Sequence, residues 1–255
     1  MKKVVLAFSG GLDTSYCAKY LSADLGYEVH AMTVNTGGFD QEQAEVLKEK
    51  ALTLGAKSYR FNDQTENFYQ KGIKYLLFGN VLKNNTYPLS VSAERVFQAL
   101  AIAEFANEIG AEAIAHGSTG AGNDQIRFDL VFQTMCPDME IITPIRDMTL
   151  SREEEIDYLK KHGVDANWAK ALYSVNQGLW GTSVGGKETL TSDQPLPDEA
   201  YPSQLKNQGL ESISIEFQNG EPVALNGKVG SSVEVIQALN EIASGYAIGR
   251  DIHIG

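Results

Sequence analysis

Cysteine is scarce in this chain: Cys17 and Cys136 are the only two in 255 residues, and there are four histidines. Neither cysteine has a partner at the short spacing of a redox or zinc motif, and the histidines do not cluster with them. Disulfide scaffolds and zinc sites are therefore set aside, a reducing compartment is expected, and both cysteines read as packing residues. Basic residues are also few, 21 Lys and Arg against 33 Asp and Glu, for a net charge of −12. A large nucleic-acid footprint needs clustered Lys and Arg, so no nucleic-acid partner is expected. Long apolar runs are missing as well. The opening MKKVVLAF starts like a signal peptide, but its apolar run ends at Ser9, short of the needed length, and no later stretch could span a bilayer. A cytoplasmic location without membrane contact is the expectation. Internal repeats and low-complexity tracts are absent too.

What remains is a chain of ordinary globular composition, 43% hydrophobic, long enough for one large domain, or one domain and part of another. Its elements alternate. An apolar strand at Val4–Phe8 precedes a helix to about Leu25, and a strand over Glu28–Val34 precedes a helix that Asp40 opens and that runs to Leu54. In that helix Ala44, Leu47, Ala51 and Leu54 recur at three- and four-residue steps. Further strands are expected at Lys57–Phe61, Ala113–Ala115 and Ile141–Ile145, with helices at about Ala93–Ile109 and from a Ser151/Glu154 capping box to about His162. This rhythm predicts an α/β fold, a parallel sheet with helices on both faces. From about Val164 the texture becomes rich in Gly, Ser, Thr, Asn and Pro. Ile213–Phe217 and Pro222–Leu225, joined through Asn219 and Gly220, then read as a hairpin. The expected division is 1–165 for nucleotide binding and 166–255 for part of a second α+β domain.

In an open parallel sheet ligands bind beyond the carboxyl ends of the strands. The first such loop is Ser9, Gly10, Gly11, Leu12, Asp13, Thr14 and Ser15. Adjacent glycines let backbone amides close on an anion, three hydroxyls add donors, and the following helix turns its positive end to the ligand. A plain capped turn would need only one of those hydroxyls. The loop lacks the lysine and spacing of a P-loop and is not G-x-G-x-x-G. Asp13 beside a triphosphate calls for a cation between them, which makes it the candidate Mg²⁺ ligand.

A second loop, His116 to Phe128, holds Gly117, Gly120 and Gly122 with Thr119, Asn123, Asp124, Gln125 and Arg127. Asn123 can donate and accept, Asp124 can accept from an ammonium, and Arg127 can clamp a carboxylate through two bonds. The set suits an amino acid, although a Gly-rich connection with capping residues and a surface ion pair is the plainer alternative. His116 alone reads as structural. No Ser/His/Asp or Cys/His arrangement stands out.

SGGLDTS after a strand resembles the pyrophosphate loop of N-type ATP pyrophosphatases, an adenine-nucleotide alpha-hydrolase-like fold. With HGSTGAGNDQIRF, the Tyr87–Ser92 stretch, Tyr173, Ser174 and Leu179–Ser183 in the same order, the chain resembles the argininosuccinate synthase family. That resemblance implies ATP-dependent joining of citrulline and aspartate through a citrullyl-adenylate, with release of AMP and pyrophosphate. It implies that Ala7, Phe8 and Ser9 to Ser15, with Val34 and Gly117, hold ATP. Thr119, Asn123 and Asp124 would hold aspartate, and Tyr87, Ser92, Asn123, Arg127, Ser174 and Ser183 citrulline. Asp13, Asp124 and Arg127 carry the catalytic expectations, ATP and Mg²⁺ are the expected cofactors, and a homo-oligomer, a tetramer in full-length members, is the expected assembly. Two departures stand out: Ala121 where the family motif commonly has lysine, and an end at Gly255 where members continue. A chain shortened at its C-terminus is thus expected, with an inactive nucleotide-binding fragment or a tRNA-thiolating relative as the alternative readings.

Overall fold

A computed structural model describes the chain except residues 121, 165–172, 192 and 254–255 and the side chains of residues 187 and 190. It divides into two compact units, Met1–Gln64 with Glu94–Ala171, and Thr65–Ala93 with Leu172–Gly255. The boundary expected near residue 165, like Ala121 and Gly255, lies outside the described residues.

The first unit is a five-stranded sheet in the order β3-β2-β1-β4-β5. Its strands are β1 (Lys3–Ala7), β2 (Glu28–Asn35), β3 (Ser58–Asp63), β4 (Ala113–Ala115) and β5 (Glu140–Ile142). Every pairing is parallel. The expected doubly covered parallel sheet is therefore present, and the side-chain alternation of β1 shows how. Val4 and Leu6 enter a core with α1 (Leu12–Ala23), α2 (Gln41–Thr53) and α8 (Arg152–Lys161), whereas Val5 and Ala7 enter the opposite core with α5 (Ser90–Ile109) and α6 (Asp124–Met135). Asp40 caps α2 by accepting from the Gln43 amide at 2.8 Å, and Gln43 returns a bond at 2.9 Å. Ser151 and Glu154 form the same reciprocal box on α8.

The order places β2 and β3 on one side of β1 and β4 and β5 on the other. The direction of strand addition thus reverses between β1 and β4, and a crevice opens beyond their carboxyl ends, where ligands bind in such sheets. Several extents differ from expectation: α5 starts at Ser90 rather than near Ala93, β3 runs on to Asp63, and β5 runs short. β5 ends at Ile142, because Pro144 starts a short helix, α7 (Pro144–Asp147), with its ring at the first helical position.

The second unit contains a helical run, α3 (Thr65–Phe68) and α4 (Lys74–Phe78), joined by a π turn at Tyr69–Ile73. Its strands are a ribbon of β6 (Tyr173–Gly178) and β7 (Gly181–Gly186) and a three-stranded antiparallel sheet, β8 (Ile215–Gln218), β9 (Glu221–Leu225) and β10 (Lys228–Val229). The turn between β8 and β9 has Asn219 and Gly220 at φ 53 and 86, the left-handed pair that a two-residue hairpin requires. Helix α9 (Ser232–Gly245) follows a Ser231/Glu234 capping box. Among the described residues no helix is long and apolar enough to cross a membrane.

Candidate functional site

The first loop leaves β1 at Ala7 and turns at Gly10, whose φ of 75 is left-handed. A Cβ there would overlap Leu47 Cδ2 of α2, so conformation and packing both require glycine. Helix α1 then opens at Gly11 without any side-chain cap, which leaves its N-terminus to an external acceptor. The three hydroxyls divide their work. Ser9 Oγ and Thr14 Oγ1 lie 3.2 Å apart at the loop surface, whereas Ser15 is buried and donates to the Gly11 carbonyl at 2.6 Å. Ser15 thus stabilises the turn, and Ser9 and Thr14 remain as the presented hydroxyls. Ala7, Phe8 and Leu12 are buried beneath it. On the next strand, buried Val34 precedes Asn35, whose Oδ1 accepts from the amides of Gly37, Gly38 and Phe39 at 2.9, 3.0 and 3.0 Å.

Asp13 lies against α8. Burial holds its carboxyl group and that of Glu155 above the usual carboxylate range while Arg152 pulls both down. A pair of buried acids this close shares a proton more readily than it carries two charges. Among the described residues no three His, Cys, Asp or Glu side chains converge to hold a metal ion. Mg²⁺ on a triphosphate draws most of its ligands from phosphate oxygens and water and needs only one or two protein carboxylates.

The second loop is braced from behind. Buried His116 accepts the Ser118 amide on Nδ1 at 3.2 Å, which leaves Nε2 to donate to Asp129 at 2.9 Å. Burial depresses its basicity, in keeping with that neutral tautomer and a structural role. Arg146 bonds Asp129 at 2.6 Å and Gln125 at 3.1 Å, and Gln125 holds the Gly120 and Gly122 carbonyls at 2.7 and 3.2 Å. The two loops meet at Gly117, where a Cβ would stand 3.2 Å from the carbonyl carbon and Cβ of Asp13 and 3.3 Å from Thr14 Cγ2. Glycine permits this backbone-to-backbone approach.

At the start of α6 Asn123 is exposed, and so is Thr119 earlier in the loop. Asp124 lies between two guanidinium groups, Arg127 Nη1 at 2.7 Å and Arg95 Nε at 3.0 Å. Arg95 also bonds Gln98 at 2.8 Å and stands 3.8 Å from Glu94, a carboxyl group that is 1% exposed and accepts from Thr36 at 3.1 Å. The sequence reading does not include Arg95, Glu94 or Thr36. A charged pair opening an apolar helix is the one available signal, since it implies a buried ionic partner.

In the second unit, Tyr87 Oη accepts the Ser92 amide at 3.1 Å and lies 3.3 Å from Ser92 Oγ. Ser92 falls inside α5, not at its cap. Asn176 faces Ser183 in the β6–β7 register while Ser174 faces Gly185, so Ser174 and Ser183 share one face of the ribbon. Both cysteines are buried, and burial pushes the thiols of Cys17 and Cys136 up, away from the thiolate needed for sulfur transfer.

Comparison with known proteins agrees with this geometry. Residues 3–165 match the model of the arginosuccinate synthase N-terminal HUP domain, and residues 173–254 match that family's C-terminal domain. The chain belongs to the argininosuccinate synthase family. Curated relatives named argininosuccinate synthase include one from Methanocaldococcus jannaschii, 41% identical over 96% of this chain and 62% of its own length. Others come from Rubrobacter xylanophilus, 39% identical over 98% and 61%, and Pyrococcus furiosus, 37% identical over 99% and 62%. The chain therefore spans less than two thirds of the length of these family members. Its first unit carries the family's HUP sheet, with both motif loops at the crevice between β1 and β4.

Proposed function

We propose that this chain works as an ATP-dependent C–N ligase that joins citrulline to aspartate, and that ATP lies over the first loop with its adenine near Val34. The observation that carries the reading is the close approach of the two motif loops at Gly117. In the first step the ureido oxygen of citrulline attacks the α-phosphorus, the bond to the β-phosphate oxygen breaks, and pyrophosphate leaves. The amino group of aspartate then attacks the ureido carbon of the adenylate, loses a proton, and expels AMP to give argininosuccinate.

The residues act by position and charge, with no covalent nucleophile. The loop amides with Ser9 and Thr14 face the pyrophosphate, where preorganised donors stabilise developing charge. Thr119, Asn123 and Asp124 orient aspartate, and Asn123 and Arg127 hold citrulline, with Tyr87, Ser92, Ser174 and Ser183 as its further expected contacts. Alignment of reactants supplies much of the rate in such a reaction. Asp13 would supply the protein carboxylate to Mg²⁺ on the triphosphate, and the ion would offset charge on the departing pyrophosphate. The proposal extends to 1–165 as the nucleotide-binding domain, 166–255 as part of a synthetase and multimerisation domain, a homo-oligomeric state and a cytoplasmic location.

The test is pyrophosphate release from ATP, measured with citrulline, with aspartate, with both and with neither. Release that requires citrulline is the expected result. ATP binding without any citrulline-dependent release refutes the ligase reading and leaves a nucleotide-binding module.

A further inference from the structure

The first loop contains no cation of its own, yet one reaches it from outside the motif. Lys50, on α2, donates from Nζ to the carbonyl of Gly10, across 40 residues of sequence. Its side chain is half-buried, and burial lowers its basicity. A lysine gives up hydration for such a place only if something is gained in return. The neighbouring turn of the same helix supplies Leu47, whose Cδ2 fills the space that a Cβ on Gly10 would need. One face of α2 thus grips a single peptide unit, by shape through Leu47 and by charge through Lys50.

The consequence follows from peptide geometry. In a trans peptide the carbonyl of residue 10 and the amide of residue 11 point in opposite directions. With the Gly10 carbonyl fixed toward α2, the Gly11 N–H is turned to the other side of the loop, where it donates to Ser9 Oγ at 3.4 Å. That is the side of the two presented hydroxyls and the uncapped start of α1. A cation on the carbonyl also polarises the peptide, making its N–H a stronger donor.

We infer that Lys50 is the positioning residue of the phosphate loop, holding the Gly10–Gly11 peptide with its amide toward the anion. This inference rests on the proposed phosphate-binding role of that loop. Lys50 thereby does from behind the loop what a lysine inside a P-loop does by direct contact.

The test uses the whole chain and two probes, inorganic pyrophosphate and adenosine, titrated by calorimetry. Lys50→Met keeps length and apolar bulk but removes the charge and the donor. It is expected to weaken pyrophosphate binding at least about tenfold, the scale of one hydrogen bond to a charged group, and to leave adenosine binding within about twofold. Lys50→Arg, which restores the donor, is expected to recover most of the pyrophosphate affinity. If Lys50→Met does not fold, Lys50→Leu, which also lacks a donor, takes its place under the same criteria. Unchanged pyrophosphate affinity, a parallel loss for both probes, or no recovery with arginine overturns the inference. Failure of the wild-type chain to bind pyrophosphate overturns the phosphate-loop reading itself, and the inference with it.

Discussion

Arg95 offers the sharpest test of how the second loop is held. Its guanidinium bonds Asp124 at 3.0 Å and Gln98 at 2.8 Å and stands 3.8 Å from Glu94, and the Arg95 side chain is 12% exposed. Arg95→Met leaves Asp124 with Arg127 alone and Glu94 buried without its cation. Removing one partner of a buried pair costs about 3–5 kcal/mol, which lowers the melting temperature of a unit this size by roughly 6–20 °C. Most of that cost belongs to the stranded Glu94 charge. Glu94→Gln alone is therefore expected to cost about 1 kcal/mol, the net worth of an ordinary hydrogen bond. The double variant should be more stable than Arg95→Met by at least about 1.5 kcal/mol, a coupling in the range seen for contacting residues. Burial already holds the Glu94 carboxyl above its ordinary value, and Arg95 opposes that shift. Without Arg95 the folded protein keeps the Glu94 proton to higher pH than the unfolded chain does. Its stability then falls more steeply as pH rises above the ordinary carboxylate value. Calorimetry of the four proteins at pH 5 and pH 8 should show the Arg95→Met penalty larger at pH 8. Strict additivity, or a penalty equal at both pH values, refutes the account.

Three further outcomes follow from the same geometry. Arg127→Ala should raise the citrulline KM about thirtyfold or more, the scale of a lost buried charged hydrogen bond, while direct ATP titration stays unchanged; an unaltered citrulline requirement rules out that role. Gly117→Ala places a methyl 3.2 Å from Asp13 backbone, which cannot rotate aside, so the loops must part at a cost of about 1–3 kcal/mol. ATP affinity should drop several-fold, and an alanine variant that binds ATP normally would show that the loops do not need this contact. Glu155 is held above the ordinary carboxylate range, at about 8, by burial first and by Asp13 second. Because the folded protein binds this proton more tightly than the unfolded chain, wild-type stability declines as pH climbs from the ordinary carboxylate value into the neutral range. Each tenfold preference for the proton in the folded state is worth about 1.4 kcal/mol. Glu155→Gln should flatten that decline in a pH series of denaturation curves, and an unchanged slope would place the linkage elsewhere.

How far the sequence announced this arrangement depends on the range over which each signal acts. The strands of the first unit and the caps at Asp40 and Ser151 are local patterns, and they appear where periodicity and capping chemistry put them. Both motif loops were legible because each is a contiguous run of unusual chemistry after a strand. The β6–β7 ribbon was not, since its glycines and serines erase the apolar alternation that marks a strand. Helix α9 carries a Ser231/Glu234 signature of the same kind as α8, so its start was as legible as that of α8. Lys50, Glu94, Arg95 and Glu155 belong to another category. Each matters through a partner far along the chain, Gly10, Thr36, Asp124 and Asp13, and no local pattern carries such a pairing.

An acidic chain proposed to bind a triphosphate poses an electrostatic problem, and the pairings show how it is divided. Charges more than about 8 Å away in solvent are largely screened, so the net −12 matters less than what borders the crevice. There the arginines are matched by carboxylates: Arg95 and Arg127 by Asp124, Arg146 by Asp129. Matched in this way, they fix the geometry of the second loop while contributing little excess positive charge to it. Lys50 also reaches the first loop, through a bond to a neutral carbonyl. That bond brings a cation to the backbone of the proposed phosphate loop and polarises its peptide. The division is chemically sensible for the proposed reaction, which releases pyrophosphate. A lysine in direct contact would hold the product tightly, whereas a cation acting through a peptide strengthens the cradle without adding a direct ion pair to break.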